Sequence, residues 1–110
     1  MDPGEIRTLI EELEGEVNNG GFDQYFYNSG GDNTAEVIQA LELIGAARMA
    51  DIVKRAAAKF PGGVPPKERF ARQDVLLDQF PSATAFRELD DEFYAYPDDL
   101  GDLLKKYSAS

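Results

Sequence analysis

The chain has 110 residues, 21 acidic and 11 basic side chains, a net charge of −10, and neither histidine nor cysteine. It therefore lacks a side chain that titrates near neutral pH unperturbed, a thiolate nucleophile, a disulfide and sulfur ligands for zinc. With 43% hydrophobic residues it can bury a core, so we expect one folded domain over residues 1–110.

The N-terminal residues predict an amphipathic helix followed by a short aromatic one. Asp2 and Pro3 are the predicted N-cap and first helical position, and the Asn-Asn-Gly-Gly run at 18–21 is expected to end the helix. The aromatic run at 22–28 then predicts one or two helical turns. The predicted inward residues of both segments are Ile6, Leu9, Ile10, Leu13, Val17, Phe22, Tyr25 and Phe26.

Two further helices are predicted in the middle of the chain. Asn33 and Glu36 have the spacing of a capping box, and Gly45 marks a turn or a close contact between the helices. A loop follows at 61–66, where proline and glycine dominate. The predicted inward residues are Val37, Ile38, Leu41 and Ile44 in one helix and Met49, Ile52, Val53, Ala56 and Phe60 in the next.

Three C-terminal helices complete the prediction. Residues 67–80 form the first, Ser82 caps the second after Pro81, and Pro97 takes the first position of the third. No useful stretch alternates with a period of two. We therefore predict an all-α fold, a compact single-domain bundle of about six helices with short loops. The predicted inward residues are Phe70, Leu76, Leu77, Phe80, Phe86, Leu89, Phe93, Tyr96, Leu100, Leu103, Leu104 and Tyr107.

Charge is unevenly distributed along the chain. Residues 1–18 carry a net charge of −5 and residues 82–102 a net charge of −6, whereas residues 46–72 carry +5. Either ordinary surface pairs neutralise these segments, or the acidic segments share one face that binds a basic partner. Under the second interpretation the candidate partner-binding residues are Glu11, Glu12, Glu16, Asp90, Asp91, Glu92, Asp98 and Asp99.

The acids do not have the pattern of a metal or catalytic site. Residues 90–92 are consecutive, so on a helix their carboxylates point in different directions and cannot hold one ion together. No phosphate-binding glycine loop is present. We expect no metal, no cofactor and no catalytic residue, although a deep pocket with two acids of raised pKa would support a carboxylate-dependent enzyme.

Several blocks of the sequence resemble a bacterial family of domains of unknown function whose best-known member is an acidic, dimeric DNA-mimic protein. The blocks are the Asn-Gly-Gly-Phe-Asp-Gln-Tyr-Phe-Tyr-Asn-Ser-Gly run at 19–30, the run at 40–46, Phe60-Pro61 with Pro65-Pro66, and the run at 89–100 ending in Tyr-Pro-Asp-Asp-Leu. The resemblance implies an all-α fold without known catalytic residues. It also implies an acidic surface that occupies the DNA-binding site of a transcription factor, and it allows a homodimer.

We therefore expect a non-enzymatic acidic binding protein whose partner is a basic DNA-binding protein. Direct binding to nucleic acid or to a membrane is disfavoured by charge repulsion. The acidic N-terminus lacks the apolar stretch of a secretory signal, so we expect a cytoplasmic location. The alternatives are an immunity- or antitoxin-type inhibitor of a basic nuclease, a carboxylate-dependent enzyme, and a plain scaffold domain whose acids serve solubility.

Overall fold

The computed structural model describes residues 1–82 and 84–109, which form six α-helices and no strand. This confirms the all-α prediction. In the described residues no helix has the length and apolar character needed to cross a membrane. The helices are α1 (Pro3–Tyr27), α2 (Thr34–Leu43), α3 (Ala47–Ala57), α4 (Arg69–Gln79), α5 (Arg87–Tyr94) and α6 (Leu100–Ala109), with 3-10 turns at Ser29–Asn33 and Pro61–Gly63.

Helix α1 is a helical hairpin rather than one straight rod. Asp2 caps its N-terminus by accepting a hydrogen bond from the Glu5 N–H at 2.9 Å, as predicted. Gly20 and Gly21 leave the helical conformation, and Gly21 has φ +73°, which favours glycine. After this break the chain folds back on itself. The evidence is that Glu16 accepts hydrogen bonds from the side chains of Gln24 and Asn28, both at 2.8 Å. A straight helix would hold residues 16 and 28 about 18 Å apart.

The core is built around the aromatic residues that follow this break. Phe22, Tyr25 and Phe26 are all buried, as predicted. Their rings contact one another and the rings of Phe60, Phe86 and Phe93 at centroid separations of 4.8 to 6.5 Å. Aromatic pairs at these distances stabilise a core beyond the area that they bury. Helices α2, α4 and α5 pack against α1, which carries this aromatic segment, and α3 packs on α2 and α5.

The start of α2 differs from the prediction. Asn33 makes no capping hydrogen bond, so the predicted capping box with Glu36 is wrong. The chain enters α2 directly from the 3-10 turn, where the Thr34 hydroxyl donates to the Gly31 carbonyl at 2.7 Å, and Glu36 instead pairs with Lys67. At the other end of α2, Gly45 has φ +83° and forms the turn into α3.

Helix α4 is rotated from its predicted orientation by a buried arginine. The predictions that Phe70 and Leu77 point inward are wrong, since they are 70% and 66% exposed. The inward positions belong to Arg72, which is 0% exposed, and to Leu76. Arg72 donates to the carbonyls of residues 26, 28, 66 and 67 at 2.6 to 3.1 Å, and its guanidinium lies 2.8 Å from the Asp32 carboxylate.

Gly31 is required by the same arginine. A Cβ at this position would lie 2.6 Å from Arg72 Nε and 3.0 Å from the backbone of Phe26. Real Cβ atoms do not approach other heavy atoms that closely, so a side chain there would push the guanidinium out of its carbonyl cage.

Two predicted helix starts in the C-terminal part are also wrong. Ser82 does not cap α5; its hydroxyl contacts Thr84, and α5 begins at Arg87 after a turn. Pro97 is not the first residue of α6, which begins at Leu100 and is capped by Asp99 through the Asp102 N–H at 3.0 Å. In both cases the acidic or polar residues between the proline and the helix form a turn first. The inward stripes are nevertheless as predicted, with Phe86, Leu89, Phe93, Leu100 and Leu104 buried.

Replacing Arg72 with methionine is expected to destabilise the protein by at least about 3 kcal/mol, because it leaves four carbonyl acceptors and the Asp32 carboxylate without their donor. Arg69→Met on the exposed face of the same helix is the matched control and should change the free energy of unfolding by less than about 0.5 kcal/mol. Urea denaturation of both variants measures this. Equal stabilities would contradict a structural role for Arg72.

Candidate functional site

The break in α1 is held by an acid from the other end of the chain. Asp90 on α5 accepts a hydrogen bond from the Phe22 N–H through Oδ1 at 2.8 Å. This carboxylate therefore acts as a cap for the helical segment that restarts after Gly21. A Cβ on Gly21 would lie 2.5 Å from Asp90 Oδ2, so the glycine also makes room for the acid.

Asp23 and Asp91 lie near this contact, and Glu14 lies further back along α1. Burial raises the pKa of Asp90, the Phe22 N–H opposes that shift, and the negative charges of Asp91 and Asp23 raise the pKa further. On the α1 side, Glu14 accepts a hydrogen bond from the Tyr96 hydroxyl at 2.9 Å. We call this set of residues, Glu14, Asp23, Asp90 and Asp91, the acidic seam between α1 and α5.

Two tyrosines fix the relative position of the helices along the seam. The Tyr94 hydroxyl donates to the Val17 carbonyl at 3.1 Å, which is in the last turn before the break. The Asn18 amide donates to the Tyr96 hydroxyl at 2.8 Å. Burial raises the pKa of both tyrosines, and for Tyr94 the charges of Asp90 and Asp91 add to the shift. The tyrosines are therefore neutral donors that hold the seam together, while the Tyr94 ring stays 46% exposed beside the acids.

The acids of the seam belong to the larger group of acids that have no ion pair in the described residues. None of the four seam acids forms an ion pair with a lysine or arginine in the described part of the chain. Seven acids outside the seam form ion pairs in the described part of the chain. These are Glu11 with Arg7, Asp32 with Arg72, Glu36 with Lys67, Glu42 with Lys54, Asp51 and Glu92 with Arg55, and Asp102 with Lys106. The seam therefore carries four acids without an ion pair, and one of them, Asp91, also borders a hollow lined by Lys59 and Arg87.

Of the eight candidate residues from the sequence, the structure brings Asp90 and Asp91 into the seam. Glu11, Glu12 and Glu16 lie elsewhere on α1. Glu11 is exposed and pairs with Arg7 at 3.4 Å, and Glu12 lies against Gly30. Glu16 is part-buried and joins the two arms of the hairpin, so it serves the fold.

The remaining three candidates lie away from the seam. Glu92 forms a bidentate ion pair with Arg55 on α3 at 2.6 and 2.9 Å. Asp98 accepts a hydrogen bond from the Met49 N–H at 2.9 Å, which caps the N-terminus of α3 from outside the helix. Asp99 caps α6. These three carboxylates bind helices of the same chain.

Sequence reasoning omitted Glu14 and Asp23 from the candidate residues. Asp23 stands alone among aromatic residues, and its pKa is raised by burial. The sequence feature that could have identified Asp23 is its position just after the Gly-Gly break, because the break turns the following residues back toward α5. Glu14 belongs to the same acidic run as Glu12 and Glu16. Its contact with Tyr96 shows that it points to a different side of α1 from them, and the sequence does not reveal that contact.

The described residues contain no group of three or more acids arranged to hold a metal ion. A hollow of about 510 Å³ between α3 and α5 contains two carboxylates, Asp51 and Glu92. Both bind Arg55, and the hydrogen bond from Arg55 lowers the pKa of Glu92. A carboxyl that is held ionised cannot serve as a general acid near neutral pH, so Glu92 does not have the raised pKa that this role needs.

Asp90→Ala is expected to destabilise the protein by about 1 kcal/mol, because the Phe22 N–H loses its acceptor at the break in α1. Asp91→Ala, one residue further on, removes the same charge and makes no such contact, so it should change stability by less than about 0.5 kcal/mol. Chemical denaturation at neutral pH compares the two variants. A loss of the same size in both would assign the effect to charge alone.

Asp90→Asn is expected to stabilise the protein relative to wild type more at pH 7 than at pH 4. The pKa of Asp90 is raised in the folded state, so the folded chain binds its proton at a higher pH than the unfolded chain. Stability from this group is therefore present below its unfolded pKa and is lost as the pH rises through the folded one. Thermal denaturation of both proteins across this range measures the difference, and a pH-independent difference would contradict it.

Comparison with known proteins supports the assignment of a family. No curated protein and no solved structure matches the chain. The family model described as DMP19-like protein matches residues 6–110, which is nearly the whole chain and includes both sides of the acidic seam. This is the family that the aromatic block after the Gly-Gly break and the Tyr-Pro-Asp-Asp block resemble. The chain therefore belongs to the family of DMP19-like proteins.

Proposed function

We propose that this protein is a non-enzymatic DNA mimic that presents the acidic seam to the DNA-binding surface of a basic partner such as a transcription factor. The observation that carries the proposal is that Glu14, Asp23, Asp90 and Asp91 border the contact between α1 and α5 without an ion pair among the described residues, while seven acids elsewhere are paired. Membership of a DNA-mimic family supports the same function.

The physical argument concerns desolvation and repulsion. Clustered acids repel one another in the free protein, and burial already raises the pKa of Asp23 and Asp90. A basic surface relieves this repulsion when it binds, much as it does when it binds phosphates. Tyr94 adds an exposed ring at the centre of the seam, and tyrosine is enriched at protein interfaces.

The acids divide into two groups under this proposal. Asp91 and Asp23 are the principal partner-binding residues, because neither is needed as a hydrogen-bond acceptor by the fold. Glu12 is also exposed and without an ion pair among residues 1–82 and 84–109, but it lies against Gly30 away from the seam and contributes through the long-range field. Asp90 and Glu14 contribute charge while holding α1 against α5, and Glu11, Glu16, Glu92, Asp98 and Asp99 contribute mainly through the long-range field.

The test is a pull-down from an extract of the native cell at low salt, with elution by a salt gradient and by duplex DNA. We expect a DNA-binding protein that duplex DNA displaces and whose affinity falls at least roughly tenfold between about 50 and 200 mM salt. Asp23→Asn/Asp91→Asn should weaken its binding by more than tenfold. The control Glu42→Gln/Asp51→Asn makes the same change in net charge but removes acids that are paired with Lys54 and Arg55.

Equal binding by the two double variants would contradict a role for the seam and would show that binding depends only on the net charge of the protein. A partner that is insensitive to salt and to duplex DNA would contradict mimicry. A nuclease recovered in place of a transcription factor would contradict the partner class and favour an inhibitor of the immunity type.

A further inference from the structure

Two of the most exposed large apolar side chains in the described residues lie on α4. Phe70 is 70% exposed and Leu77 is 66% exposed. Residues seven apart lie on the same face of a helix, two turns from each other. Tyr27, 44% exposed, adjoins the middle of this face, because the Gln73 side chain donates to its carbonyl at 2.7 Å. We call Tyr27, Phe70 and Leu77 the apolar strip.

An acid lies within the strip. Asp74 comes four residues after Phe70 and three before Leu77, so it shares their face of α4, and it is exposed. Neither Asp74 nor Asp78, one turn further on, forms an ion pair with a lysine or arginine in the part of the chain that the structure describes. The α4 face is therefore apolar at both ends and negative between them.

The strip is continuous with the acidic seam. The arm of α1 that follows Gly21 is helical, so Asp23 and Tyr27, four residues apart, lie on one face of that arm. Asp23 belongs to the seam and Tyr27 to the strip. A partner that covers the seam at Asp23 therefore reaches the strip at Tyr27.

We propose that the strip binds an amphipathic basic helix of the partner that occupies the seam. Apolar residues of that helix pack on Phe70 and Leu77, and a lysine or arginine of the helix pairs with Asp74. The inference rests on the proposed function for the identity of the partner and adds an apolar contact to the acidic one. Side chains at i, i+4 and i+7 form a ridge that packs into the groove of a second helix. Proteins that bind DNA commonly present basic helices.

Charge selects a basic helix over other occupants of the strip. Covering the strip removes Asp74 from water, and a buried carboxylate without a cation is costly. A neutral apolar surface supplies no cation. A second copy of this chain in a two-fold contact centred on the strip would bring two Asp74 carboxylates together. A helix with lysine or arginine beside its apolar residues instead covers the apolar ends of the strip and neutralises the acid between them.

The strip also distinguishes this protein from duplex DNA. Contacts to phosphates weaken as salt rises, because counterions compete for them. Burial of apolar side chains is not weakened in this way. A partner that binds both surfaces should therefore retain a part of its affinity that is independent of salt and that the phosphates of DNA do not reproduce.

A synthetic peptide tests the strip without the natural partner. The probe is a helical peptide of about 18 residues with leucines on one face and lysines on the other. Its control has serines in place of the leucines and the same charge. We expect wild-type protein to bind the leucine peptide at least about tenfold more tightly than the serine peptide in fluorescence anisotropy, because the leucines bury apolar area on the strip.

Variants of the protein locate this binding. Phe70→Ser/Leu77→Ser should abolish the preference for the leucine peptide and leave the circular dichroism unchanged, because both side chains are exposed. Val64→Ser is the matched control, since Val64 is also 70% exposed but lies outside α4. Asp74→Asn should weaken binding of the leucine peptide about threefold. Glu88→Gln on α5 makes the same change in net charge and should have a smaller effect.

Three results would overturn the inference. One is equal affinity of wild-type protein for the two peptides, and another is a Phe70→Ser/Leu77→Ser variant that keeps the preference. The third is a strip already covered by a second copy, which sedimentation would reveal as a halved mass in this variant.

The protein recovered by pull-down separates this inference from the proposed function. Phe70→Ser/Leu77→Ser should weaken its binding more than tenfold without changing the slope of log affinity against log salt, whereas Asp23→Asn/Asp91→Asn should reduce that slope. A strip variant that binds as tightly as wild type would overturn the inference and leave the proposed function standing. Recovery of no DNA-binding protein would refute the proposed function, and the peptides would still decide whether the strip binds a basic helix.

Discussion

The fold depends on a single buried guanidinium. Arg72 donates hydrogen bonds to carbonyls at the end of α1 and in the segment before α4, and it forms an ion pair with Asp32. Each of these backbone groups lies where a helix or turn ends, and the Asn28 carbonyl also accepts the Gly31 N–H at 3.1 Å. Four carbonyls and one carboxylate, from three segments of the chain, bind this one side chain, which is why an arginine can occupy a position that a leucine would otherwise fill. The same guanidinium sets the rotation of α4 and thereby exposes Phe70 and Leu77.

A second constraint, the reversal at Gly20 and Gly21, connects the fold to the site. The reversal brings the aromatic segment into the core and turns the Phe22 N–H toward α5, where Asp90 receives it. Without the reversal Asp23 would lie far from Asp90, and the acids of the two chain ends would form separate surfaces. The acidic seam is therefore a product of backbone geometry at two glycines as much as of acidic composition.

Local pattern was sufficient to predict much of the fold. The six helices, the Asp2 cap, the break at 18–21 and the burial of Phe22, Tyr25 and Phe26 depend on residues close together in the sequence. The errors concern tertiary partners. Arg72 was not recognised as buried because its acceptors lie up to 46 residues away. The sequence predicts Phe70 and Leu77 in the core because the spacing of apolar residues alone does not determine which face of α4 packs against the rest of the protein.

The site was predictable only in outline, since the acidic segments were evident but their partners were not. Asp98 and Glu92 looked like free surface acids, yet a distant N–H and a distant arginine bind them. Asp90 and Asp91 are neighbours in the sequence but differ in their contacts. The Asp90 carboxylate accepts the Phe22 N–H, whereas the Asp91 carboxylate makes no hydrogen bond in the described chain. Acids of the second kind can be exchanged in evolution without disturbing the backbone, so members of one family can acquire different charge patterns, and hence different binding specificities, on an unchanged scaffold.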